Sequence, residues 1–275
     1  MPTLLNLHLP DQSTPIHVRS ITDVSSLDGK ILTFRDTTFL AYNSCTVYKG
    51  KLHISGSTVD KDAVCKLTRN NREVTAQMEN EVAIYNEQLK GLQDSVVPVY
   101  YGLYKGSYER DRRVTEFLCI ILEHCGTPIN VEFGRLSAPL KYVAPDSSDL
   151  DFCLIFAPRL KIIDCMVDIH KAGVRHGGLW ERKVLITPGG DAVRIIDFGL
   201  ASVHQCRRRL KMGINHYVPL KGDFGCDELY EIGEALDIWT SRMYCTPSQL
   251  RLTHDMHILY FYDQMFVTRP PRRLN

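Results

Sequence analysis

The spacing of apolar residues changes several times along the chain. Phe39 to Tyr42, Thr46 to Ile54 and Ala63 to Leu67 are rich in β-branched and aromatic residues and are separated by turn formers, including Ser55-Gly56-Ser57. That pattern predicts short strands in an antiparallel meander. From about Arg72 to Leu92 the period lengthens, with Val74, Met78, Tyr85, Leu89 and Leu92 at three- and four-residue steps, and predicts one amphipathic helix. Strand character returns at Val97 to Leu103 and Phe117 to Glu123, and the basic, polar stretch Lys105 to Arg113 between them is expected to be a hairpin loop. Five strands and one helix thus make a small first lobe over residues 29–124. Residues 1–28 carry Pro, Asp, Ser and Thr without a sustained period and are expected to be a loosely ordered lead-in.

After Gly126-Thr127-Pro128 the character changes, which places a boundary near Cys125 and a second lobe over residues 125–275. Arg135 to Leu150 is polar and reads as an irregular surface loop. Leu154, Ile155, Leu160, Ile163, Met166, Val167 and His170 give Phe152 to Lys171 a helical pattern, with Gly173 as its stop. His170 reads there as a packed core residue rather than a ligand. Val184 to Ile186 and Val193 to Ile196 predict two strands around Pro188-Gly189-Gly190, and Leu229, Ile232, Leu236 and Trp239 predict another buried helix.

A chain of 275 residues, 44% of them apolar, is long enough to bury a substantial core. Lys and Arg number 33 against 32 Asp and Glu, so the net charge of +1 supplies no field to draw the whole protein to nucleic acid or an anionic membrane. No run approaches the roughly 18 apolar residues of a spanning helix, and Met1 to Pro10 has no basic leader. These features predict a soluble protein in the cytoplasm or nucleus. The nine cysteines (Cys45, Cys65, Cys119, Cys125, Cys153, Cys165, Cys206, Cys226 and Cys245) never form a Cys-x-x-Cys pair, so the sequence indicates neither a disulfide framework nor a zinc site.

Three features carry candidate chemistry. Alternation in Ala63-Val64-Cys65-Lys66-Leu67 puts Val64 and Lys66 on one strand face and Cys65 on the other. Taken alone, a strand lysine is expected to snorkel to water, with an inward-pointing charge as the alternative. Glu81, three residues after Met78 and four before Tyr85, falls on the apolar stripe of the first helix; it is either a boundary residue reaching solvent or a buried carboxylate that needs a partner such as Lys66. Third, Val193 to Ile196 delivers Asp197-Phe198-Gly199 at a strand end, where a carboxylate suits metal-phosphate binding and a glycine permits a tight backbone turn.

The order Lys66, Glu81, His176 to Ile186, Asp197-Phe198-Gly199 resembles the protein kinase family, and in particular compact kinase-like domains of fungi, over about residues 30–242. The resemblance implies an α+β fold of two lobes: a small antiparallel five-stranded lobe with one helix, and a mainly helical, truncated large lobe. It also implies ATP as ligand. Lys66 and Glu81 would stand at the phosphate-binding pair, Glu123 and Cys125 in the hinge that hydrogen-bonds adenine, His176 at a structural hub, and Asp197 at the metal ligand.

The departures from the family point to a pseudokinase. The general-base aspartate is replaced by Gly178, and the asparagine of the second metal site by Lys183, which leaves at most a single Mg²⁺ site. Leu40, Tyr42 and Cys45 stand where the phosphate-covering glycines would be, and are expected to crowd the phosphate path. Glu181 is the one nearby surrogate for the base. Lys183 either takes over charge from the missing cation or points to solvent. The expected function is a protein-binding module, gated by nucleotide or not, with an unidentified protein partner; the alternative is an atypical active kinase using Lys66 and Asp197. Arg207-Arg208-Arg209-Leu210-Lys211 and Arg269-Pro270-Pro271-Arg272-Arg273 read as solvated segments, the first with some capacity to meet an acidic partner.

Overall fold

The computed structural model describes residues 2–240 apart from 23, 43, 70, 111, 130–132, 134–148, 214 and 215. Met1–Thr240 form one compact unit. The expected loop over Arg135 to Leu150 falls almost wholly outside the described residues, as do Cys245 and the basic segment at 269–273.

Seven strands close into a barrel. They are β1 (Leu4–Leu7), β2 (Ile16–Ser20), β3 (Ile31–Tyr42), β4 (Thr46–Ile54), β5 (Lys61–Arg69), β6 (Tyr100–Arg110) and β7 (Arg113–Glu123), in the order β1-β2-β6-β7-β5-β4-β3 around the wall. All neighbours are antiparallel except β1 and β3, which run parallel with Leu5 opposite Leu32. The barrel is filled by alternate residues of each strand, among them Leu5, Leu7, Val18, Leu32, Phe34, Leu52, Cys65, Tyr104 and Ile121. The expected loose lead-in over residues 1–28 therefore contains two barrel strands, Leu4–Leu7 and Ile16–Ser20. Leu5, Leu7, Ile16 and Val18 point inward, and their strands join β3 to β6, removing two open sheet edges. With only two inward positions per strand, neither segment is long enough to display a period.

Helix α1 (Arg72–Asn86) lies against the outer face of this wall. Its start is fixed by Asn71, whose side chain accepts the Val74 N–H at 3.1 Å. Val74, Met78, Val82 and Tyr85 pack it into a second core with Leu103, Ile120 and Leu122. Beyond Glu123 come β8 (Thr127–Pro128), α2 (Asp149–Lys171), β9 (Val174–Arg175), β10 (Val184–Ile186), β11 (Val193–Ile195), β12 (Ser202–Val203), β13 (His216–Tyr217), α3 (Lys221–Phe224), α4 (Asp227–Ala235) and β14 (Trp239–Thr240). The strands here pair as β11-β10-β8, β12-β9 and β13-β14. Among the described residues no helix is long and apolar enough to cross a membrane.

This architecture overturns the expected fold class. Strands dominate, the sheet closes as a seven-stranded barrel with one parallel pair, and only four helices occur among the described residues, so a five-stranded lobe joined to a mainly helical one is not what forms. Two local expectations change as well. Lys105 to Arg110 is strand rather than loop: Tyr104 and Tyr108 turn into the barrel, with Gly106 between them, and strand pairing continues to Arg110 opposite Arg113. The helix expected to reach Trp239 stops at Ala235, because Asp237 takes a left-handed φ of 48° and Trp239 folds back as a strand.

Candidate functional site

The alternation of β5 decides where Lys66 goes. Ala63, Cys65 and Leu67 fill the barrel, so Val64 and Lys66 face α1. The register sets Lys66 between Val47 on β4 and Ile120 on β7. On α1, Glu81 shares the buried stripe with Met78 and Tyr85 and is 1% exposed. Lys66 Nζ donates to Glu81 Oε2 at 2.7 Å and to Asp197 Oδ1 at 2.6 Å. The other Glu81 oxygen accepts the Phe198 N–H at 3.2 Å. Both inward readings, of the strand lysine and of the helix carboxylate, thus describe where the side chains lie.

Asp197 follows β11 with a φ of 71°, a left-handed conformation that Asp tolerates better than most residues, and it aims the carboxylate at the two ammonium groups. The segment after it is fixed to α1 by Asn80, whose Nδ2 donates to the carbonyls of Gly199 at 3.1 Å and Ala201 at 2.8 Å. Phe198 is fully buried between Tyr85 and His176, with ring centroids 5.6 and 4.9 Å away. The His176 Nε2–H donates to the Ile196 carbonyl at 3.0 Å; burial lowers the pKa of this ring, which keeps it neutral as that donor requires.

Lys183 is buried rather than solvent-facing, and its Nζ lies 3.1 Å from Asp197 Oδ2. Asp197 therefore meets an ammonium group at each oxygen. Burial alone would raise the pKa of its carboxyl, but the charge and hydrogen bond of Lys66, then those of Lys183, outweigh that and hold it at about 2. Burial likewise opposes the Lys66 charge, and Glu81 and Asp197 overcome it, so the lysine titrates above its ordinary value. The Cys45 thiol sits close enough to feel Lys66, yet burial pushes it up to about 11. Of the three residues expected to crowd the phosphate path only Cys45 is buried; Leu40 and Tyr42 are exposed.

No carboxylate stands at Gly178. A Cβ built there would lie 3.6 Å from Lys183 Nζ and 3.7 Å from Leu200 Cδ1, ordinary contact distances. Glu181 is engaged elsewhere, its Oε1 accepting the Phe133 N–H at 2.8 Å. The hinge candidates are also tied into the scaffold: Glu123 Oε2 accepts the Val99 N–H at 3.0 Å, and the buried Cys125 thiol donates to the Glu123 carbonyl at 3.8 Å. Glu123 is three positions beyond Ile120, the residue opposite Lys66, or about 10 Å along the strand. Val47 and Val64, partly buried on the Lys66 face, are the nearest apolar surface on β4 and β5.

Two supporting residues carry no signal in the sequence pattern. Asn80 is one, and Glu228 is the other: its Oε2 accepts the His176 N–H at 2.9 Å and its Oε1 the Gly177 N–H at 2.7 Å. An acidic residue in the first turn of α4 is ordinary, and only its 8% exposure sets it apart.

The chain matches no protein-family model, and no curated protein matches it in sequence. Solved structures do match in shape. One is that of vaccinia related kinase 3, with a TM-score of 0.41 and 15% identity, covering 91% of this chain and 76% of that one.

Proposed function

We propose that this chain is a kinase-like nucleotide-binding domain of the pseudokinase kind, which holds the phosphates of ATP on Lys66 and Lys183 without transferring one. The observation that carries the reading is the unbroken line of charges Glu81, Lys66, Asp197, Lys183, with contacts of 2.7, 2.6 and 3.1 Å. In kinase-type sites a strand lysine paired with a helix glutamate meets the phosphates, and an aspartate after a strand holds the metal. Here the metal position does not fit Mg²⁺ as it stands. Both Asp197 oxygens face ammonium groups, and an ammonium cannot ligate a cation. Lys183 supplies fixed positive charge where the metal's would be needed, so phosphate binding requires no metal. Val47 and Val64 offer an apolar surface for the base.

Transfer is a separate matter. Absence of a positioned general base costs about 10²- to 10⁴-fold in rate, or roughly 3 to 5 kcal/mol of barrier. Glu181, bonded to the Phe133 N–H, is a poor replacement. A domain that binds nucleotide without consuming it is suited to regulating an attached or bound protein.

Thermal unfolding with ATP and EDTA tests the reading. ATP should stabilise the wild type without metal, and the shift should vanish in Lys183→Met. An absence of any shift, with or without Mg²⁺, removes nucleotide binding. ADP release by the wild type that Asp197→Ala abolishes would make the chain an active kinase instead; release only by Gly178→Asp/Lys183→Asn supports the inert reading.

A further inference from the structure

A second constellation, which shares none of the phosphate-site residues, meets Glu228 through His170. His170 in the last turn of α2, His204 and Cys206 after β12, and Cys226 just before α4 bring their ligating atoms within 4.8 Å of one another. The backbone places them there. β12 pairs with β9, and the His204 N–H donates to the Gly173 carbonyl at 2.8 Å, which brings His204 over the end of α2. The next segment is drawn to the end of α3, two residues before Cys226, by the Arg209 N–H, which donates to the Phe224 carbonyl at 2.9 Å. Gly225 makes that approach feasible: with a φ of 82° and no side chain it admits the Arg207 carbonyl where a Cβ would otherwise sit.

From this geometry we infer that His170, His204, Cys206 and Cys226 bind one structural Zn²⁺ ion. Two imidazoles and two thiols are a donor set that zinc takes tetrahedrally. Bonds of about 2.3 Å to sulfur and 2.0–2.1 Å to nitrogen imply a sulfur-to-nitrogen edge of about 3.6 Å. Cys226 Sγ lies 3.5 Å from His170 Nδ1 and 3.8 Å from His204 Nε2. The tautomer is set as a zinc ligand needs: the second nitrogen of His170, Nε2, is 2.7 Å from Glu228 Oε2, the carboxylate–histidine contact that orients a metal-bound ring and leaves Nδ1 for the ion. Cys226 makes no side-chain cap to α4, so its sulfur is free to turn to the metal. A cleft of about 340 Å³ bordered by His170, His204 and Cys206 gives an entry path. Binding replaces two thiol protons, which leave to solvent, by two zinc–sulfur bonds.

Four protein ligands leave no open position, so the ion holds α2, the 204–206 segment and α4 together rather than activating water. Through Glu228, which also holds the His176 and Gly177 N–H groups, it steadies the turn carrying Gly178. Ligands spread over residues 170 to 226 with no Cys-x-x-Cys pair explain why the spacing rule fails to find them.

The full chain, purified with its thiols reduced from zinc-supplemented cells, should carry about one zinc per chain by plasma mass spectrometry. Exchange with Co²⁺ should give tetrahedral ligand-field bands with thiolate-to-cobalt charge transfer. Cys206→Ser and Cys226→Ser should each lower bound zinc about tenfold or more, while Cys165→Ser, outside the cluster, should not. If the serine variants fail to fold, the wild type still decides the matter: a strong chelator should lower its unfolding temperature and added Zn²⁺ restore it. Zinc below about a tenth per chain with no tetrahedral Co²⁺ spectrum overturns the inference, as does a Cys206–Cys226 disulfide in the folded protein. Zinc retained in both serine variants overturns it too.

Discussion

Replacing Lys66 by Met removes one charge from a chain of four and keeps most of the volume. Its two partners fare differently. Asp197 is 39% exposed and keeps Lys183 at 3.1 Å, so it stays paired and partly hydrated. Glu81, 1% exposed, keeps only the Phe198 N–H and becomes a buried carboxylate without a counter-charge. Breaking a buried ion pair in this one-sided way costs about 3–5 kcal/mol. Glu81→Gln is milder, at about 1–2 kcal/mol, because Lys66 retains Asp197 and an amide oxygen still accepts from Phe198. The double variant Lys66→Met/Glu81→Gln then removes the stranded charge, and should be more stable than Lys66→Met alone by about 1–3 kcal/mol. Urea unfolding of the four proteins, compared at equal m-values, measures this cycle. A Lys66→Met protein within about 1 kcal/mol of wild type, or a double variant whose loss equals the sum of the singles, would refute the buried-pair account.

Other consequences can be checked independently. Asp197, held at about 2 against an ordinary value of about 3.9, contributes stability at neutral pH that fades as the pH falls from about 4 through 2; Asp197→Asn should flatten that part of an acid unfolding curve. Gly178→Asp should fold within about 1 kcal/mol of wild type by urea titration, since its backbone φ is not positive and the Cβ has room beside Lys183; a loss above about 3 kcal/mol would show that the glycine is structurally required. Gly225→Ala should cost about 1–3 kcal/mol and reduce bound zinc, because the new methyl meets the Arg207 carbonyl at a left-handed φ. Glu181→Gln should cost at most about 1 kcal/mol, the bond from the Phe133 N–H persisting on the amide oxygen, and should leave the ATP-induced thermal shift unchanged; loss of that shift would return Glu181 to the nucleotide site.

Much of the local structure was legible from spacing. Thr46 to Ile54 and Val184 to Ile186 are strands over the stated bounds, and Arg72 begins its helix as expected. Such elements follow from residues a few positions apart. The side-chain directions of Lys66 and Glu81 stood as alternatives, because a period names a face without saying what covers it. Packing of α1 on β5 chose the inward one. Lys183 was open for the same reason, and Asp197 provided the partner that turned it inward.

The sequence by itself determined the chemistry available: a strand lysine, a stripe glutamate, an aspartate after β11, and no carboxylate at residue 178. Tertiary structure decided the rest, because the deciding contacts join distant parts of the chain. Arg19 pairs with Lys105 to close a barrel that neither strand announces alone, and that closure replaces the expected five-stranded lobe. His170 and Cys226 meet only after β12 pairs with β9 and Gly225 admits its neighbour. Local propensity acts within a turn or a strand, whereas closure of a sheet edge and convergence of four ligands depend on which surfaces fold against each other.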